Sequence, residues 1–145
     1  MSADSVRSVA EKMLRKVGVR QAELSIVFLT GAAMRRLNRE SLGHDFVTDV
    51  ITFDLADVGR KKDRKKYCLS VDGEICVCPA EAVRNARLYG EPVERELLRY
   101  VAHGILHLLG HDDHSPAARQ RMRQKEDELL AVQIENNHCG FGSGF

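Results

Sequence analysis

The stretch Pro92-Val-Glu-Arg-Glu-Leu-Leu-Arg-Tyr-Val-Ala-His103-Gly104-Ile-Leu-His107-Leu-Leu-Gly110-His111-Asp112-Asp113-His114 decides how the chain is read. Pro92 opens a helix, and Glu94 and Glu96 sit in its first turn, where the helix dipole favours acids. Leu97, Leu98, Val101, Ile105, Leu108 and Leu109 make it apolar over several turns, and Gly110 ends it. Such a helix belongs inside a domain. His103 and His107 are four residues apart, so they share one face, with Cβ atoms about 5–6 Å apart, and can aim two imidazoles at one point. Buried imidazoles need partners, and a shared cation satisfies both. Gly110 lets the chain reverse, so a third ligand can return to the same ion. The arrangement His-x3-His-x2-Gly-x2-ligand puts that ligand at Asp113, with His114 the rival one place later and His111 less favoured because it sits on the turn.

Outward from this helix, the chain reads as one domain. Its 145 residues suffice for a single hydrophobic core, and 43% apolar with 30% charged residues is ordinary for a globular protein. The 22 basic and 21 acidic residues leave a net charge of +1, so nucleic acid would have to meet a local basic patch. The start lacks the basic and apolar regions of a signal peptide, and no segment reaches the ~18 apolar residues of a membrane span, which predicts a cytoplasmic protein with no membrane contact. Four cysteines, Cys68, Cys76, Cys78 and Cys139, are too few for a disulfide scaffold and are expected as thiols, with Cys76 and Cys78 packed in a strand.

The remaining pattern predicts an α+β domain over residues 1–134, a small mixed sheet of about four strands packed on a helical cluster, with residues 135–145 as a flexible tail. Val6, Val9, Met13, Leu14 and Val17 give an amphipathic helix. Glu23–Leu29 reads as a strand, and Thr30 caps a helix through Arg39. Val50–Phe53 is a second strand. Arg60-Lys-Lys-Asp-Arg-Lys-Lys66 is an exposed basic loop. Cys68–Val71 and Glu74–Cys78 flank Asp72-Gly73, which serves either as a hairpin turn or as a bulge. Pro79 to Gly90 is a helix, and Ser115 caps a last helix reaching about Ile134, whose Arg119, Arg121, Arg123 and Lys125 are expected on a charged surface.

Two histidines and an aspartate suit zinc, with a fourth position left for water, although nickel and iron accept the same set. Zinc proteases place Glu directly after the first His, as in His-Glu-x-x-His, whereas here that place holds Gly104. The helix is metalloprotease-like in its ligand spacing but lacks the protease base, and another acid such as Glu74 would have to replace it.

With Gly after the first His, His103-Gly-Ile-Leu-His107-Leu-Leu-Gly110 resembles the signature of the YbeY family, zinc-dependent single-strand endoribonucleases of ribosomal RNA maturation. Thr48-Asp-Val-Ile-Thr-Phe53, Asp72-Gly-Glu-Ile-Cys-Val77 and Leu37-Asn38-Arg39 resemble further blocks of that family in the same order, covering roughly residues 20 to 130. The resemblance implies one zinc ion per chain, single-stranded RNA as substrate, and a role at the 16S 3′ end with the small ribosomal subunit as partner. It implies metal-assisted phosphodiester cleavage with a metal-bound water, or the RNA 2′-hydroxyl, as nucleophile. The family's usual third ligand is a His ten residues after the first, where this chain has Asp113. Its RNA-handling Arg falls at Leu42 here, which leaves Arg39 and the basic loop residues Arg60, Lys61 and Lys62 as candidate phosphate contacts. The competing readings are a hydrolase of peptide or amide bonds and a ribosome-associated module with a structural metal.

Overall fold

A computed structural model describes residues 1–56 and 70–141, with side chains as far as Val132. The N-terminal helix α1 (Ala3–Lys16) starts where Ser2 Oγ accepts the Ser5 N–H at 3.1 Å. It buries Val6, Val9, Ala10, Met13 and Leu14, a three- and four-residue stripe. Strand β1 (Gln21–Phe28) follows, and Thr30 Oγ1 then accepts the Ala33 N–H to cap α2 (Gly31–Leu42). Strands β2 (Val50–Asp54) and β3 (Ser70–Val77) precede three helices, α3 (Pro79–Tyr89), α4 (Val93–Leu108) and α5 (Pro116–Phe141).

Among the described residues the sheet has three strands in the order β1-β3-β2, with β1 parallel and β2 antiparallel to β3. It is mixed, as expected, but smaller than the four strands the sequence suggested. The difference lies at Asp72-Gly73: these residues do not turn the chain but sit inside β3, opposite Glu23 and Leu24 on one side, with Gly73 opposite Asp54 on the other. Cys68 and the basic loop fall outside the described residues. The last helix runs through Phe141, past the end expected near Ile134, in keeping with the lack of any helix breaker between Glu135 and Cys139.

The period-2 alternation of the strands divides the interior into two cores. Val71, Ile75 and Val77 of β3, with Leu24, Ile26 and Val50, face the cluster built by α1, α4 and α5. Cys76, Cys78 and Ile51, with Val27 and Phe53, face Met34 and Leu37 of α2. Cys76 and Cys78 are therefore buried free thiols used for packing, as the sequence indicated. Burial pushes the Cys76 thiol up to about 11, aided by the charge of Glu74, so it stays protonated at neutral pH.

Helix α4 is the centre of the helical cluster, and two glycines let it lie close against β3. A Cβ at Gly73 would stand 2.6 Å from Leu108 Cδ2 and 2.8 Å from the Phe53 carbonyl oxygen; a Cβ at Gly104 would stand 2.7 Å from Ile75 Cδ1. Each element thus offers a side chain to the other's missing one: Leu108 of α4 over Gly73, and Ile75 of β3 over Gly104. The contact fixes the rotation of α4, and with it the direction in which His103 and His107 point.

Candidate metal centre

The rotation of α4 turns His103 and His107 away from the sheet and towards the start of α5. Their Nε2 atoms lie 3.0 Å apart. After Leu108 the chain reverses at Gly110, whose φ of +95° lies in the left-handed region that a side chain disfavours. Asp112 Oδ1 accepts the His114 N–H, and Ser115 Oγ accepts the Ala118 N–H to cap α5. This short, locally hydrogen-bonded loop carries Asp113 back over α4. Its Oδ2 lies 3.5 Å from His103 Nε2 and 3.7 Å from His107 Nε2.

Three atoms with sides of 3.0, 3.5 and 3.7 Å lie on a circle of radius about 2 Å, the length of a zinc–nitrogen or zinc–oxygen bond. One point can therefore bond all three. The side chains of His103, His107 and Asp113 are 24%, 30% and 35% exposed, so the group opens to solvent rather than being sealed as a structural site would be. Among the described residues, these three form the group able to hold a metal ion. His114, the rival for Asp113, does not join it: its side chain is exposed and its backbone belongs to the Asp112 turn.

A buried layer behind the triad fixes one imidazole. Glu126 of α5, 5% exposed, has Oε2 2.7 Å from His103 Nδ1, and its Oε1 accepts from Arg99 at 3.2 Å. Arg99 also donates to Asp127 at 2.8 Å. A carboxylate bonded to Nδ1 keeps the proton there and leaves the Nε2 lone pair directed at His107 and Asp113. Burial alone lowers the pKa of His103, but the hydrogen bond and charge of Glu126, with Asp113 and Asp49, outweigh it and hold the ring above the ordinary histidine value. For His107 burial dominates, reinforced by the neighbouring His103 charge, and its pKa falls below the ordinary value despite Asp113 and a hydrogen bond donated to the His111 backbone. The pair is thus differentiated, one ring gripped by a carboxylate and the other favouring its neutral form.

His103 and Asp113 of the triad border a cleft of about 330 Å³ between α4, α5 and the segment entering β2, lined among others by Asp49, Glu96, Arg119 and Arg123. Asp49 is tied into its own loop, where its Oδ1 accepts from the Val50 N–H at 2.8 Å and from Thr48 Oγ1 at 3.3 Å. Glu74 is not among the lining residues. Of the four residues expected to contact phosphate, Arg39 lies 3.9 Å from Asp45, a carboxylate already held by Arg35 at 2.9 Å, and does not line the cleft. Arg60, Lys61 and Lys62 lie outside the described residues.

Glu126 and Arg99 are the site residues that sequence reading passed over. Arg99 had a signal, since Arg99, His103 and His107 recur at four-residue steps along one face of α4. Glu126 had almost none, because a Glu within a run of charged helical residues reads as surface.

This geometry agrees with what the chain resembles in known proteins. Residues 1–133 match the family model described as endoribonuclease YbeY. The endoribonuclease YbeY of Chlorobium phaeovibrioides is 39% identical over 127 residues, covering 88% of this chain and 79% of that protein. The endoribonuclease YbeY of Salinibacter ruber is 35% identical over 130 residues, covering 90% and 82%. The solution structure of a Thermotoga maritima protein superposes with a TM-score of 0.62 at 28% identity, covering 94% of this chain and 84% of that one. Motif, fold and whole-chain similarity coincide, and the chain belongs to the endoribonuclease YbeY family.

Proposed function

We propose that this protein is a zinc-dependent endoribonuclease that cuts single-stranded RNA and acts in maturation of the 16S ribosomal RNA 3′ end at the small ribosomal subunit. The observation that carries the chemistry is the triangle of His103 Nε2, His107 Nε2 and Asp113 Oδ2, with a common point about 2 Å from each, beside an open cleft. The reaction class and the RNA substrate rest on family membership. Two nitrogens and one oxygen, with room for a fourth ligand, suit zinc in the catalytic manner.

When bound, zinc supplies Lewis acidity at the phosphoryl group and lowers the pKa of a coordinated water. The protein's own contribution is positional. Glu126 holds the His103 proton on Nδ1, the Asp112 turn holds Asp113 over α4, and the α4–β3 contact holds both imidazoles at one angle. Gly104 stands where a zinc protease has its Glu base, and its missing side chain faces Ile75 in the core rather than the cleft, so no carboxylate at that place can serve peptide hydrolysis. Glu126 is engaged by His103 and Arg99.

The test is cleavage of a labelled single-stranded RNA by metal-loaded protein, with metal content measured in parallel. Cleavage that disappears in His107→Ala together with the metal supports the reading. A metal-replete wild type that cleaves no better than His107→Ala removes it.

A further inference from the structure

Helix α5 presents Arg119, Met122, Arg123 and Glu126 to the cleft, at steps of three and four residues along one face. The inner half of this stripe is committed: Met122 is packed in the core, and Glu126 is held by Arg99 and His103. The outer half is available, because Arg119 and Arg123 are exposed. Arg119 makes a 3.4 Å contact to the Asp113 carbonyl, and Arg123 makes no hydrogen bond or ion pair among the described residues. Arg119 therefore sits against the residue whose carboxylate completes the triad, and Arg123 lines the same cleft one turn further along the helix.

The charges across the cleft give this rim a direction. The acids of the lining come from other elements, Asp49 ahead of β2 and Glu96 on α4, and Asp49 is tied into its loop. Glu126 is offset by Arg99, and Asp113 belongs to the triad. An anion entering the cleft thus meets two exposed arginines on α5 that no carboxylate of the described residues pairs, and is repelled by Asp49 and Glu96. Guanidinium is planar, permanently charged and forked, which suits bidentate contact with phosphate oxygens. Residues four apart on a helix have Cβ atoms about 5–6 Å apart, so the two arginines can hold one phosphate, or neighbouring phosphates of one strand, beside the triad.

We propose that Arg119 and Arg123 bind the RNA backbone at the reaction centre. The proposal rests on the endoribonuclease reading and adds its substrate-holding residues. The experiment measures binding of a fluorescein-labelled single-stranded RNA to metal-loaded protein across a salt series, for wild type, Arg119→Ala/Arg123→Ala, Arg119→Lys/Arg123→Lys and Arg121→Ala. Arg121 is exposed on the same helix but does not line the cleft. Each phosphate contact on a single strand contributes about 0.7 to the slope of log K against log salt, so loss of two lowers it by about 1.4. The expected result is tenfold or greater weakening in the double alanine variant with that change of slope, unchanged metal content, partial recovery with lysine, and wild-type behaviour for Arg121→Ala. Wild-type affinity and slope in the double alanine variant, with RNA still cleaved, overturn this proposal and leave the endoribonuclease reading standing. Equal weakening by Arg121→Ala also overturns it, by showing a diffuse field. A metal-loaded wild type that neither binds nor cleaves single-stranded RNA overturns the reading beneath it.

Discussion

Replacing Gly104 by alanine puts a methyl carbon 2.7 Å from Ile75 Cδ1 and 2.8 Å from Ile75 Cγ1 and Cγ2. Unstrained carbon pairs sit at about 3.5–4.0 Å, so the overlap approaches 1 Å against three atoms of one side chain. Ile75 is fully buried in the main core, where close packing leaves a side chain little room to move. Overpacking of this kind costs about 1–3 kcal/mol, against a helix-propensity gain of about 1 kcal/mol for Gly to Ala. The net expectation is destabilisation of up to about 2 kcal/mol, nearer the upper end because all three contacts are shorter than 3.0 Å. The background supplies the decisive control. Ile75→Ala removes all three clashing carbons, at a cost of about 2–5 kcal/mol by itself. In that background Gly104→Ala should become neutral or stabilising, because only its propensity gain remains. Urea unfolding of the four proteins after metal removal measures the cycle. The same destabilisation by Gly104→Ala in both backgrounds, or stabilisation in the wild-type background, would refute the account of how α4 is held against β3.

Four further outcomes follow from the same geometry. Glu126→Gln should weaken metal affinity about 10–100-fold, measured by competition with a chromophoric chelator, since the carboxylate that fixes the His103 tautomer is gone; unchanged affinity would remove that role. Asp113→Ala should abolish stoichiometric metal binding while His114→Ala retains it, and the reverse pattern in elemental analysis would reassign the third ligand. Gly73→Ala should destabilise by at least about 1–3 kcal/mol in urea unfolding, since one of its clashes is with the Phe53 carbonyl, which cannot rotate away as a side chain can. Zinc added at 100 times its Kd to stripped protein should stabilise it by about 2.7 kcal/mol, and an unshifted melting curve would mean no binding to the native state.

The legibility of this protein in its sequence varied with how local the physics was. The helical histidine pair and the return of Asp113 after Gly110 depend on one helix and one turn, and both appear in the structure as read. Element types were legible for the same reason, α1 from its three- and four-residue apolar steps, β1 from its apolar and β-branched content, and α2 from its Thr30 cap. Gly73 shows where local reading stops. Asp-Gly between two β-branched runs is a hairpin signal, but the glycine is there for the approach of Leu108, a contact made 35 positions further along the chain that only tertiary packing reveals. The charged face of α5 behaves likewise. Arg119 and Arg123 read as solvated surface, and Glu126 as one more acid among them, until the packing of α5 against α4 turns that stripe towards His103. The sequence resemblance directed attention to Arg39, yet its position near Asp45 depends on the loop after α2, held where Asn38 donates to the Phe46 carbonyl.

The central claim is that His103, His107 and Asp113 hold a metal on which RNA cleavage depends. Its most direct measurement is the activity of stripped protein on labelled single-stranded RNA as zinc is titrated back, with bound zinc counted in the same samples. The account predicts cleavage that rises in proportion to bound zinc and saturates at about one equivalent per chain, with His107→Ala inactive throughout. Cleavage that persists in fully stripped protein, or that stays absent at one equivalent of bound zinc, would contradict it.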